Sequence, residues 1–168
     1  MALRLIIDGY NLIRTTDLAA TESRDGLEAG RATLLDELAA YRRLRRHDLT
    51  VVFDGAGPLG PSRSKEKGVK IVFTPAGMSA DEHIVRLVGD RGDQALVVTS
   101  DQGLARRVEA AGAECVSSPQ FRQSLLLAAV SELKGEDEAE ERSSKPAKGP
   151  ARRLSKRQRS RQRKVSKL

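Results

Sequence analysis

Leu3-Arg4-Leu5-Ile6-Ile7-Asp8-Gly9 is the stretch whose reading decides the fold. Its short apolar run reads as a buried strand, and Asp8-Gly9 as the turn that stops it. The pattern returns downstream. Leu49 to Phe53 runs into Asp54-Gly55, Val69 to Phe73 is stopped by Pro75 and Gly77, Ala95 to Thr99 precedes Asp101, and Ala113 to Val116 makes a short fifth run. Helical periodicity fills most of the gaps. Leu34, Leu35, Leu38, Tyr41 and Leu44 share one face of a helix over 28–46, with Arg42, Arg43, Arg45 and Arg46 near its last turn, where they suit the macrodipole. Ser79-x-x-Glu82 is a capping box ahead of Ile84, Val85, Leu87 and Val88. Two more helices run from Asp101 to Ala111, ended by Gly112, and from Pro119 to Leu133. Asn11 stands where it can cap a short helical turn after the first strand. Strands alternating with helices predict an α/β fold, a parallel sheet covered on both faces. Residues 55–68, rich in Gly and Pro and then in Ser, Lys and Arg, read as a mobile basic loop between the second and third strands.

The chain has 168 residues, enough for one domain with a sizeable core. One cysteine, Cys115, excludes an intrachain disulfide, and two histidines, His47 and His83, leave no zinc ligand set. The apolar start stops at Asp8, too soon for a signal peptide, and no apolar run is long enough to span a bilayer. A soluble, cytoplasmic protein without a membrane partner is expected. The net charge of +7 hides a division. Residues 1–141 hold 18 Lys and Arg against 23 Asp and Glu, a net −5, whereas residues 142–168 hold 12 Lys and Arg and no acid. A domain over 1–134 followed by a charged tail over 135–168, acidic at 136–141 and basic at 142–168, is the division this implies. Such a tail buries too little apolar surface to offset its chain entropy, so disorder is expected there. Its cations suit nucleic-acid phosphates, and without aromatic residues it offers affinity rather than base readout. A solubilising tail is the plainer alternative, and folding back onto the acidic run or the active site is a third.

The acids carry the chemistry. Asp8 and Asp54 end strands, Asp101 lies two residues past one, and Asp81 opens the helix after another. In a parallel sheet these positions all fall at the carboxyl ends of the strands, where ligands bind. Clustered carboxylates raise one another's pKa or need a cation, and an all-oxygen set suits Mg²⁺ or Mn²⁺. Such an ion acidifies water and stabilises charge on a phosphoryl oxygen, so phosphodiester hydrolysis fits best. Each acid also has a blander use: Asp101 as a helix cap, Asp8-Gly9 and Asp54-Gly55 as turns. Asp81 resists that reading, because Ser79 and Glu82 already supply the cap. Cys115 reads as core, and His83 reads as a solvated helix position rather than a phosphate or base contact. No Gly-x-Ser-x-Gly elbow or Walker A loop occurs. Gly55-Ala56-Gly57-Pro58-Leu59-Gly60 fits a dinucleotide fingerprint but opens no helix, so it is a glycine-rich loop.

Ile7-Asp8-Gly9-Tyr10-Asn11-Leu12-Ile13, Val52-Phe53-Asp54-Gly55, Ser79-Ala80-Asp81-Glu82 and Val98-Thr99-Ser100-Asp101, in this order, resemble the NYN domain of the YacP type, a branch of the PIN-like nucleases. The resemblance spans about residues 3–133 and leaves the basic tail outside. It implies a three-layer fold with a five-stranded parallel sheet in the order 3-2-1-4-5, and endonucleolytic RNA cleavage with Mg²⁺ or Mn²⁺. By position it makes Asp8, Asp81 and Asp101 the metal ligands and Asp54 a further ligand or supporting acid. Asn11 would orient a ligand or phosphate, and Ser100 would add a hydroxyl contact. Arg63, Lys65 and Lys67 match only in being basic, and are read as RNA backbone contacts or as a solvated surface. Translated mRNA on the ribosome enters as a substrate by analogy alone. The competing expectation is a non-catalytic RNA- or ribosome-binding protein on the same scaffold. A phosphatase is a weaker third, lacking an Asp-x-Asp pair after the first strand.

Overall fold

A computed structural model of the chain describes residues 2–15, 24–55, 62–133 and 168. The element order is β1 (Arg4–Asp8), α1 (Gly9–Arg14), α2 (Arg24–Arg45), β2 (Asp48–Phe53), β3 (Ser62–Glu66), β4 (Val69–Phe73), α3 (Ala80–Val88), a 3-10 helix (Gly89–Gln94), β5 (Ala95–Val98), α4 (Gln102–Ala110), β6 (Glu114–Val116) and α5 (Ser118–Leu133). One sheet runs β3-β4-β2-β1-β5-β6. Its five parallel strands keep the expected order, with Ile7 opposite both Val51 and Val98 at the centre. The sixth strand departs from expectation. Residues 62–66, read above as part of a mobile loop, pair antiparallel with β4 from Ser62↔Phe73 to Glu66↔Val69. Residues 56–61 and residues 135–167 of the expected tail lie outside the described residues.

Two apolar layers enclose the sheet. Leu5, Ile7, Val51, Phe53, Ile71 and Val98 pack with α1, α2 and α5 through Leu12, Leu34, Leu38, Tyr41, Phe121 and Leu125. Leu168 is buried in this same cluster. On the other face Ile6, Val52, Val72 and Val97 meet Ile84 and Val88 of α3 and Leu104 and Val108 of α4. The period-two alternation of strand side chains produces this sorting. Cys115 belongs to the second layer, as expected of a core thiol. Leu44, in the last turn of α2, remains 45% exposed. Two arginines tie helices down. Arg122 on α5 makes a two-pronged ion pair with Glu37 on α2, and Arg4 donates to the carbonyl of Leu87 on α3 at 2.5 Å. Among the described residues no helix is long and apolar enough to cross a membrane.

Candidate active site

The strand alternation aims the acids. Ile6, Val52, Val72 and Val97 face α3 and α4, and two residues further on Asp8, Asp54, Thr74 and Thr99 continue the same face at the carboxyl ends. The first turns of α3 and α4 start beside that edge and add Asp81 and Asp101.

Asp8 is nearly buried, at 9% exposure, and caps α1. Its Oδ1 accepts from the Asn11 backbone N–H at 3.2 Å and its Oδ2 from the Thr99 hydroxyl at 3.4 Å. Asp8 therefore takes the cap expected of Asn11. The same Thr99 oxygen accepts from the Asp101 N–H at 3.1 Å, and Asp101 caps α4 by accepting from the Leu104 N–H at 2.8 Å. Thr99 thus links two of the carboxylates. Thr74 plays a matching part, donating to Asp54 at 3.3 Å and accepting from the Gly55 N–H at 3.0 Å. Gly55 holds φ +81°, the left-handed conformation that suits glycine at such a turn. Ser79 caps α3 through the Glu82 N–H, which leaves Asp81 free of that duty. The capping reading of Asp101 holds, Asp8 proves to be a cap as well, and caps fix a carboxylate in place. Neither Thr74 nor Thr99 stands out in the sequence, where each reads as an ordinary strand residue.

The acids feel one another. Burial pushes the Asp8 carboxyl up to about 6, with the charges of Asp81 and Asp101 adding to the rise against the opposing Asn11 N–H and Thr99 hydroxyl. Burial also raises Asp81, as do Asp101 and Asp54, while Arg107 opposes them. An oxygen-only donor set with unrelieved negative charge fits a divalent cation chemically. Among the described residues, however, no three His, Cys, Asp or Glu side chains are gathered closely enough to hold one. The carboxylates share the carboxyl edge of the sheet without closing into a cage.

Asn11 spans the flank of that edge. Its Oδ1 accepts from the Ser100 N–H at 2.9 Å and the Ser118 hydroxyl at 2.6 Å, while the Ser100 oxygen accepts from the Ser118 N–H at 3.1 Å. Asn11, Ser100 and Ser118 so bind three elements together, and Ser118 is a member the sequence reading missed. Asn11→Ala leaves a backbone N–H and a hydroxyl unpaired and is expected to cost about 1–3 kcal/mol in denaturant unfolding.

The basic residues divide. Arg63 lies opposite Val72, on the α3 face near the acidic end. Lys65 lies opposite Lys70, further from that end. Lys67 sits in the β3–β4 turn at the amino-terminal edge of the sheet, with φ +49°, and pairs with Asp36 of α2. The antiparallel run of β3 carries it away from the acids, so its expected place among substrate contacts is corrected. His83 is also corrected. It is 7% exposed, not solvated, and burial together with Arg63 and Arg86 lowers its pKa.

A family model described as the YacP-like NYN domain matches residues 5–167. The chain belongs to that family. The match places this NYN domain among the PIN-like domains of RNase type. It also takes in the basic residues 142–167, which the resemblance above left outside. "Uncharacterized protein YacP" of Bacillus subtilis (strain 168) is 29% identical over 101 residues, 58% of this chain and 59% of that one. The chain therefore matches under two thirds of that relative's length. Two crystal structures titled Rae1 (YacP) from Bacillus subtilis share the fold. One, of a tryptophan-to-leucine mutant, has a TM-score of 0.67 at 23% identity, covering 80% of each chain. The other has a TM-score of 0.67 at 24% identity, covering 80% of this chain and 79% of that one.

Proposed function

We propose that this NYN domain is a metal-dependent endoribonuclease of the cytoplasm that hydrolyses RNA phosphodiester bonds, with ribosome-associated mRNA as a candidate substrate. The observation that carries it is the electrostatic coupling of Asp8, Asp81 and Asp101, with Asp54 beside them, at the carboxyl edge of the sheet. RNA binding alone gains nothing from a negative crevice. Asp8, Asp81 and Asp101 would hold Mg²⁺ or Mn²⁺, with Asp54 in support. The ion supplies Lewis acidity, acidifying water and stabilising charge on a phosphoryl oxygen. The protein's own part is positioning. Helix caps and Thr99 fix Asp8 and Asp101, and Thr74 fixes Asp54. Asn11 retains its amide nitrogen, and Ser100 its hydroxyl proton, as donors for a phosphate oxygen. The cations of 142–168 would add sequence-independent affinity that falls with salt.

A second reading, RNA or ribosome binding without catalysis, is favoured by the absence of a closed metal set among the described residues. Calorimetry with Mn²⁺ on the full chain separates the two, followed by RNA cleavage assays. Binding by wild type that both Asp8→Asn and Asp101→Asn abolish is the result expected of the nuclease. RNA binding without any Mn²⁺ uptake or cleavage, on free or ribosome-bound RNA, favours the second reading.

A further inference from the structure

The face of the sheet that carries the acids extends beyond Asp81. Along the same face of the sheet, between edge strand β3 and helix α3, lies a cleft of about 470 Å³. Pro75 and Met78 form the stretch of its rim that leads back to the start of α3, where Asp81 lies. Two kinds of surface line it. Val72, Met78 and Leu87 are apolar, whereas Arg63 and Arg86 bring two positive charges, and the described lining holds no carboxylate. Phe73 borders the cleft, but its ring stacks on Phe53 across the sheet. His83 completes the wall, buried, with an Nε2 that has no hydrogen-bond partner. Arg86 is steadied by Met78, whose sulfur accepts from its guanidinium at 3.8 Å. It stands five residues from Asp81, about 7.5 Å along the helix axis at 1.5 Å per residue.

An apolar floor under cationic groups is the chemistry of a nucleotide site: a base packs on the first and a phosphate on the second. The volume falls in the range of small-ligand pockets. We propose that this cleft seats one unpaired RNA nucleotide beside the bond that is cut, its base against Val72, Met78 and Leu87 and its phosphate on Arg63 and Arg86. The inference rests on the nuclease reading and deepens it. It requires a single-stranded substrate at this step, because a base held in a duplex is not free to enter.

Histidine signals test it, since the chain has two histidines. His47 is an internal reference, accepting through Nδ1 from the Leu3 N–H at the opposite end of β1. Imidazole ¹H–¹⁵N NMR of the full chain, at fixed pH in chelator, is recorded with a six-nucleotide RNA, the same sequence as a duplex, and inorganic phosphate. The single strand should shift His83 and not His47, while the duplex and phosphate leave both in place. An Arg63→Gln/Arg86→Gln double variant whose His47 signal and melting temperature match wild type should need at least about fivefold more RNA for the same shift of His83 from its own free position. RNA that binds without moving His83, an equal shift with duplex, an unaltered titration in the double variant, or a shift with phosphate alone overturns the nucleotide seat and leaves the nuclease reading standing. A wild-type chain that neither binds nor cuts RNA overturns both.

Discussion

An Asp8→Asn variant will melt at a higher temperature than wild type at pH 7 in chelator, and it will cut RNA at least about a hundredfold more slowly. The two effects have one origin. Asp8 is a carboxyl group held at 9% exposure among other carboxylates, so its folded pKa lies near 6 against 3.8 for the free side chain. A raised carboxyl pKa means that the folded state holds the proton more tightly than the unfolded state. Stability is therefore full below pH 4 and is lost as pH rises through about 6. At 1.36 kcal/mol per pH unit the loss approaches about 3 kcal/mol at pH 7. Asparagine carries no charge to desolvate, and its oxygen can still accept from the Asn11 N–H, so the variant escapes the loss and keeps the cap. Thermal unfolding of both proteins at pH 4 and pH 7 measures the difference. The stability gap should open between those values, and Mn²⁺ should close it by stabilising wild type alone. Identical pH profiles would mean that the carboxylate's burial carries no such cost. The activity loss follows from removing a charge that a cation needs, an effect of several kcal/mol on the barrier.

Gly9→Ala should be the most damaging single methyl at the site. A Cβ on Gly9 would lie 2.4 Å from the Phe53 ring. The ring cannot retreat. It is fully buried, tilted against Tyr10 with centroids 5.2 Å apart, and stacked on Phe73 at 5.3 Å. Overpacking of this kind costs about 1–3 kcal/mol. Calorimetry should show a melting temperature lower by several degrees. The displaced turn also moves Asp8, so cleavage should fall with it. Phe53→Leu removes the obstructing ring, and the double variant should be less impaired than the two single losses added together.

The parts of the site that were legible in the sequence are local ones. Asp8 and Asp54 each follow an apolar run directly, and Ser79-Ala80-Asp81-Glu82 announces its own cap. The parallel strand order could be written down from the family blocks. What escaped depends on residues distant in the chain. Ser62-Arg63-Ser64-Lys65-Glu66 has no apolar alternation, because four of its five residues are exposed, and pairing with β4 is what makes it a strand. His83 is buried although it follows directly on Asp81 and Glu82, since its environment comes from other elements. Thr99 and Thr74 act across 91 and 20 residues, and no local pattern encodes such a link.

The charged strand has one more consequence. β3 is the outermost strand, and an outermost strand offers unpaired N–H and C=O groups to any second chain. Here Arg63, Lys65 and Glu66 crowd that border, while β6 at the far border is only three residues long. Neither margin invites another sheet to dock. The strand that places a cation near the acids also keeps one molecule's sheet from fusing with the next, so a variant that neutralises β3 should lose the proposed RNA contact and resistance to aggregation together.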